Sequence, residues 1–439
     1  MSRGGLVRRF PVLAIRDFRF LLAERLVAPA SVGFSMVGVS FAMLRATNSA
    51  TDLSYVLAAQ IAPALVFALI GGVAADRFRP QRVILAANLL MAVGEGIFGV
   101  LVLTGHPSLW AMIGLEMLTG TGVAIFYPAS QALVPRIVPG GMLQDASAIS
   151  RLAMNTGQMS GAAAAGLLVA AAGPGWALLL CGVGMIATVP MLLSIRGGRD
   201  IRSGMSARPA GGTKPRPAPS MLTELREGWS EFRSHTWLWV IVAQFCVVLM
   251  AWYGAFAVLG PVVAREHLGG PAAWGAITAA DAFGLITGGL VSLRFTPRRP
   301  MLFVVLTGGA ISISPLSLAM VLPLPAVCLA SFGLGVFIEM MMVQWTVGLA
   351  RNIPPDKLAR VSSYDVLGSV MAMPAGALIA GPLGTAIGIS SAQYAAAATI
   401  VVASALALIP RDVRTMRSGN AAIPQAAEVA EAELETVPG

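Results

Sequence analysis

The stretch Gly72-Val-Ala-Ala-Asp-Arg-Phe-Arg-Pro-Gln-Arg82 ends a long apolar run in a basic turn, and its skeleton returns as Gly289, Arg294, Phe295, Pro297 and Arg299. Both copies read Gly-x4-Arg-Phe-x-Pro-x-Arg. A second echo pairs Arg136, Pro139, Leu143, Ser147, Gly161 and Gly166 with Arg351, Pro354, Leu358, Ser362, Gly376 and Gly381 at a nearly equal offset. Register held over so many positions marks an internal duplication. Duplicated sets of membrane helices with a site between them are the plan of secondary transporters.

Composition places the duplication in a bilayer. The chain is 56% hydrophobic and only 12% charged, with a mean hydropathy of +0.77, more apolar surface than a water-soluble core hides. Apolar runs cut by Gly, Pro and Arg reach the roughly 20 residues that cross the hydrocarbon as a helix. They predict spans at 21–44, 53–75, 83–104, 109–134, 146–172 and 175–195, then at 237–263, 272–293, 301–322, 326–350, 358–388 and 391–409. The runs lack strand alternation and are about twice the 9 to 11 residues of a barrel strand. The expected fold is therefore an all-α integral membrane bundle of twelve helices in two six-helix halves.

The domain plan that follows is 1–195 for the first half, 196–236 for a linker, 237–410 for the second half and 411–439 for a tail. The linker is rich in Arg, Pro and Gly, a composition that does not order itself. Its end, 221–235, reads as an amphipathic helix with Leu222, Leu225, Trp229 and Phe232 on one face, suited to the inner membrane surface. The tail carries Glu428, Glu431, Glu433 and Glu435 and reads as disordered, with no role assigned.

Cations set the orientation. One side holds Arg45 and Arg265, and the other Arg77, Arg79, Arg82, Arg136, Arg294, Arg298, Arg299, Arg351, Lys357 and Arg360 with the linker and both termini. By the positive-inside rule both termini are cytoplasmic and the membrane is the inner or plasma membrane. The net charge of +9, spread over many short turns, is this rule at work and not a nucleic-acid footprint. The first apolar run is too long for a signal-peptide core and reads as a retained span. Cys181, Cys246 and Cys328 lie inside spans without disulfide or zinc spacing, so no metal and no cofactor is expected. No Gly-x4-Gly-Lys-Ser/Thr loop occurs, so ATP hydrolysis is not encoded, and no catalytic residues are assigned.

With those features, Gly72 to Arg82 resembles the loop signature that major facilitator transporters carry between their second and third spans. Phe126-Tyr-Pro-Ala-Ser-Gln-Ala-Leu-Val-Pro-Arg136 and Glu224-Leu-Arg-Glu-Gly-Trp229 are similar to the drug/proton antiporter branch, with its macrolide and enterobactin exporters. The resemblance implies alternating access, a monomer, and a cavity lined by the first, fourth, seventh and tenth spans. Two departures stand out. Where many proton antiporters carry Arg in the fourth span, this chain has Glu116-Met-Leu-Thr-Gly-Thr-Gly122, and the second loop copy has Leu293 at the acidic position.

Gly72 permits close helix approach, and Asp76 at the inner end of the second span is placed to meet the N-terminus of the eleventh. A cytoplasmic gate of Gly72, Asp76, Arg77, Arg82, Gly289, Arg294, Arg299, Asp365 and Arg151 is expected; the alternative is that Asp76, Arg77 and Arg82 only set topology and turn geometry.

Five carboxylates deep in the expected spans are singled out: Glu95, Glu116, Asp281, Glu339 and Asp365. Each costs roughly 2.5 to 3.5 kcal/mol or more if ionised without a partner at the bilayer centre, so each needs a reason. No His lies in a span, so carboxylates must carry protons if protons couple transport. Given the implied cavity, Glu116 and Glu339 are the favoured coupling pair, with Tyr127 on the Glu116 face and Met342 and Thr346 beside Glu339. The alternative is an interhelical hydrogen bond that only locks packing. Asp281 is a candidate ion-pair partner for Arg151, and Asp365 a gate partner for Arg77, Arg82 or Arg151. Glu95 reads as structural or water-facing.

The expected function is proton-coupled efflux of a small amphiphilic molecule, a drug, antibiotic or siderophore-like metabolite. Its partners are that substrate, protons and the lipid bilayer, with no nucleic acid. A metabolite or lipid importer or uniporter on the same fold is the alternative, and a non-transporting scaffold or sensor a third reading.

Overall fold

The computed structural model describes residues 11–74, 79–195, 229–354, 357, 361–362, 364–365, 368–369 and 371–416, apart from the side chains of 65–74, 127 and 144. The first six helices are α1 (Arg16–Thr47), α2 (Ala50–Ala74), α3 (Pro80–Leu103), α4 (Leu109–Ile137), α5 (Leu143–Ala172) and α6 (Pro174–Ser194). The last six are α7 (Thr236–Leu268), α8 (Pro271–Ser292), α9 (Pro300–Ala319), α10 (Leu324–Asn352), α11 (Met373–Ile387) and α12 (Ile389–Ala407). Proline opens α3, α6, α8 and α9, where its missing N–H costs nothing and its fixed φ suits the first turn.

Among the described residues nine of these helices are long and apolar enough to cross a bilayer. The other three are α2, α5 with Asp145, Arg151 and Asn155 in its first half and Gln158 at its middle, and α11, of which 15 residues are continuously described. The all-helical bundle expected from the repeats is what the chain forms, and among the described residues there is no strand.

Three differences from expectation have physical causes. Helix α1 begins at Arg16 rather than near residue 21, so Glu24 and Arg25 lie two turns inside it. Helix α7 is not uniform: its Gly254–Leu259 and Ala264–Leu268 segments widen to π geometry around Gly260-Pro261, where a proline cannot continue the α ladder. The end of the linker, expected on the membrane surface, packs on protein instead. Trp229 stacks on Phe232 at 5.7 Å and meets Tyr364 at 5.6 Å, Phe232 is buried in the core of the last six helices, and Lys357 bonds Glu231 at 2.9 Å. Residues 221–228 of that segment, the rest of the linker and the tail lie outside the described residues.

Lipid offers no hydrophobic drive between helices, so close packing over small residues holds the bundle. A Cβ on Gly33 of α1 would lie 2.8 Å from the Gln158 carbonyl of α5, and one on Gly288 of α8 would lie 2.5 Å from the Val336 carbonyl of α10. Across the two sets, Gly166 of α5 abuts Gly275 of α8, and Gly381 of α11 abuts Ala50 of α2.

The buried apolar clusters divide by height. At the ends carrying Arg79, Arg82, Arg136, Arg298, Arg299 and Arg351, here the basic end, one cluster draws only on residues up to Ile195 and another only on residues from Phe232 onward. At the opposite end both clusters mix the sets: Met43, Leu53 and Met112 pack with Leu259, Val262 and Ala380, and Phe41 and Val169 pack with Phe256 and Trp274. Arg265 of α7 adds a cross-link there, donating to the Leu44 carbonyl at 2.8 Å.

Candidate functional site

Helix α5 starts at the basic end, and α8 runs antiparallel beside it, with Gly275 against Ala162 and Gly166. That register puts Arg151 level with Gly288 and leaves Asp281 about seven residues away, ~10 Å at ~1.5 Å per residue. Glu339 of α10 lies over Gly288 and Gly289, where a Cβ would stand 3.1 and 3.7 Å from its Cβ and Cγ. Arg151 Nη1 donates to Glu339 Oε1 at 3.0 Å, an ion pair joining the first six helices to the last six.

The expected Arg151 and Asp281 pair is therefore replaced by Arg151 and Glu339, because depth decides the partner. Among the described residues Asp281 forms no ion pair, and its Oδ1 is buried without a hydrogen bond. The pair is asymmetric: the Arg151 side chain is 63% exposed and that of Glu339 11%. Met342 and Thr346 continue the Glu339 face of α10 towards the basic end and are both exposed.

Glu116 has a different setting. It is fully buried, and the Met112 and Thr119 positions on its face of α4 are sealed with it. Neither of its oxygens has a hydrogen bond of good geometry among the described residues, and the Gln60 amide is placed to donate a longer one. The two favoured acids thus do not face one another: Glu339 sits at the junction of the sets, and Glu116 is enclosed among α2, α3, α4 and α7. Tyr127 belongs to α4, but its side chain lies outside the described ones.

Gly72 lies in α2, while Asp76 and Arg77 lie outside the described residues. Arg82 is exposed and, with Arg79, Gln81, Leu85, Leu192 and Leu193, lines a cleft of about 210 Å³ between the basic ends of α3 and α6. Gln81 fixes that contact by donating to the Leu192 and Ile195 carbonyls. Asp365 accepts a 2.8 Å hydrogen bond from Trp345 Nε1 and among the described residues forms no ion pair, Arg151 being engaged by Glu339. Arg294 and Arg299 are exposed at the end of α8 and the start of α9, and Gly289 lies beneath Glu339.

Two groups escaped the sequence reading. Glu24 is a sixth intramembrane carboxylate, fully buried, with the nearly fully buried Arg25 3.9 Å away. Arg25 donates to the Ser130 carbonyl at 2.8 Å and to the Met154 sulfur at 3.2 Å. Adjacent opposite charges inside an apolar run were the available signal. Glu95, read as structural or water-facing, has no exposure and accepts a hydrogen bond from Ser35 of α1.

The description of the family model that matches residues 26–314 is Major Facilitator Superfamily. The enterobactin exporter EntS of Escherichia coli and that of Citrobacter koseri are each 26% identical over 404 residues, covering 91% of this chain and 93% of theirs. In fold, the chain is similar to the nucleoside transporter NupG, with a TM-score of 0.68 at 12% identity over 90% of this chain and 99% of that one. It is also similar to a bacterial homologue of the human lysosomal transporter Spinster, solved inward-facing and unoccupied, with a TM-score of 0.65 at 16% identity over 89% and 96%.

Proposed function

Since the chain belongs to the major facilitator superfamily, we propose that this secondary transporter is a proton-coupled exporter of a small amphiphilic molecule, with Glu339 as the coupling acid and Arg151 as its electrostatic switch. The observation that carries the reading is the 3.0 Å pair between them, the described ion pair that bridges the two six-helix sets. The full-length likeness to enterobactin exporters supports export.

The basic end faces the cytoplasm by the positive-inside rule, which puts both termini there. Cores shared between the sets lie at the opposite end, an arrangement suited to a monomer resting closed to the outside and open to the inside. Substrate enters from the cytoplasm along the exposed Met342 and Thr346 face of α10, a wall that is apolar and adaptable with one hydroxyl. A proton arriving on Glu339 cancels its charge and weakens its hold on Arg151, which then meets substrate or water. The α5 and α8 contact can then shift as one set rocks against the other. Return of the proton to the cytoplasm restores the pair.

Purified chain in vesicles enclosing a pH-sensitive dye, with enterobactin as the probe, tests the proposal. Enterobactin movement is expected to drive opposing proton movement, and Glu339→Gln is expected to abolish the proton signal while Arg151→Lys retains part of it. Proton counterflow at the wild-type level in Glu339→Gln would overturn the assignment.

A further inference from the structure

Two carboxyl groups of the first six helices are buried at a similar depth on adjacent helices, far from Glu339. Glu95 lies eight residues before the end of α3 and Glu116 seven residues after the start of α4, so both are ~10–12 Å from the end opposite the basic one. Both are fully buried, and they interact electrostatically. The approach of α3 to α4 depends on Gly94, where a Cβ would stand 3.0 Å from the Leu115 carbonyl and press on the Thr119 hydroxyl.

Ser35 of α1 donates to one Glu95 oxygen. The other Glu95 oxygen, both Glu116 oxygens and the 4%-exposed Thr119 hydroxyl are buried without a hydrogen bond of good geometry among the described residues, the Gln60 amide being the group placed to donate a longer one to Glu116. Gln60 of α2, Cys181 of α6 and Tyr253 of α7 neighbour the two acids, and among the described residues no ion pair reaches either one.

Two ionised carboxylates buried near one another, with no cation, repel each other and forfeit their hydration. Two neutral acids would supply two donors where Ser35 already uses an acceptor site on Glu95. One proton removes the repulsion: it makes one acid a donor to the free oxygen of the other, and that bond together with the Ser35 hydroxyl holds the single charge that remains. We propose that Glu95 and Glu116 form a proton-binding site that holds one proton between them, with Tyr253 as its cover. The proposal rests on the export reading for the proton's use, as the station that loads from outside before Glu339 is served.

Tyr253 gives the site its timing. It belongs to the last six helices and packs against the mixed cluster at the closed end, yet it lies within electrostatic reach of Glu116. Parting of the two sets at that end carries Tyr253 away with α7 and opens the pair to outside water. The loading step moves one proton from water to the pair; no other bond changes.

Difference infrared spectroscopy between acid and alkaline pH, on the full chain in lipid nanodiscs, reads the site without a transported substrate. Wild type is expected to show the carbonyl band of a hydrogen-bonded neutral carboxylic acid. The band should vanish in Glu116→Gln, shift in Glu95→Gln and persist in Glu339→Gln. A band unaltered in both Glu95→Gln and Glu116→Gln overturns the site, as do two separate bands each lost with its own variant. Should a glutamine variant fail to fold, Ser35→Ala and Thr119→Val are the second test: a frequency shift supports the site and none overturns it. Protein that has the band but moves no protons in the vesicle assay overturns the export reading and leaves the pair; proton counterflow with the band unaltered in both variants does the reverse.

Discussion

Arg25 shows what a single charge means in this molecule. At 4% exposure it sits beside the fully buried Glu24 and holds the Ser130 carbonyl and the Met154 sulfur, so it ties α1 to α4 and α5. Removing one member of a buried pair strands the other, at a cost of about 3–5 kcal/mol, whereas replacing both with apolar groups of like size is often neutral. Arg25→Met is therefore expected to lower the thermal unfolding midpoint in detergent strongly, and Arg25→Met combined with Glu24→Leu to recover most of it. Equal loss in the single and double variants would show that Glu24 is not Arg25's dependent. Arg151 contrasts with it: its exposed side chain is free to exchange partners, which befits a switch more than a brace.

At the scale of the helix, the decisive residues are those with no side chain. Helices α8 and α10 touch through Gly284, Gly288 and Gly335, and that contact sets where Glu339 stands relative to Arg151. A methyl on Gly288 would meet the Val336 carbonyl at 2.5 Å, and backbone there cannot step aside. Gly288→Ala should thus destabilise by about 1–3 kcal/mol, the usual cost of overpacking. Gly333→Ala, in the same helix pair but with nothing within 4 Å of the new methyl, should be neutral or stabilise by up to ~1 kcal/mol through helix propensity. Thermal unfolding of the two variants side by side checks the contrast, and similar losses would show that packing at Gly288 does not hold the pair of helices.

For the whole molecule, the shared clusters and the Arg265 link to the Leu44 carbonyl lie at one end, and separate clusters lie at the other. In a background with Cys181, Cys246 and Cys328 replaced, Leu53→Cys should react slowly with a membrane-impermeant maleimide. Ser147→Cys, exposed at the basic end, should react readily from that side. Adding Arg265→Gln should speed Leu53→Cys labelling several-fold by loosening the closed end; an unchanged rate would show that the apolar cluster alone makes the seal.

The repeated Gly-x4-Arg-Phe-x-Pro-x-Arg string, with the length of the apolar runs, determined the helical bundle, its duplication and its basic end, because span length and loop charge are written locally along the chain. Local patterns also marked Glu95, Glu116, Asp281, Glu339 and Asp365 as groups needing a reason to be in a membrane. Only the tertiary structure decided their partners. Arg151 meets Glu339 and not Asp281 because the α5 and α8 register is set by the Gly166 and Gly275 contact, and Glu95 and Glu116 are buried at a similar depth because Gly94 lets α3 close on α4. Depth and facing arise when helices far apart in sequence pack together, and a turn of about 5.4 Å is enough to exchange one ion-pair partner for another.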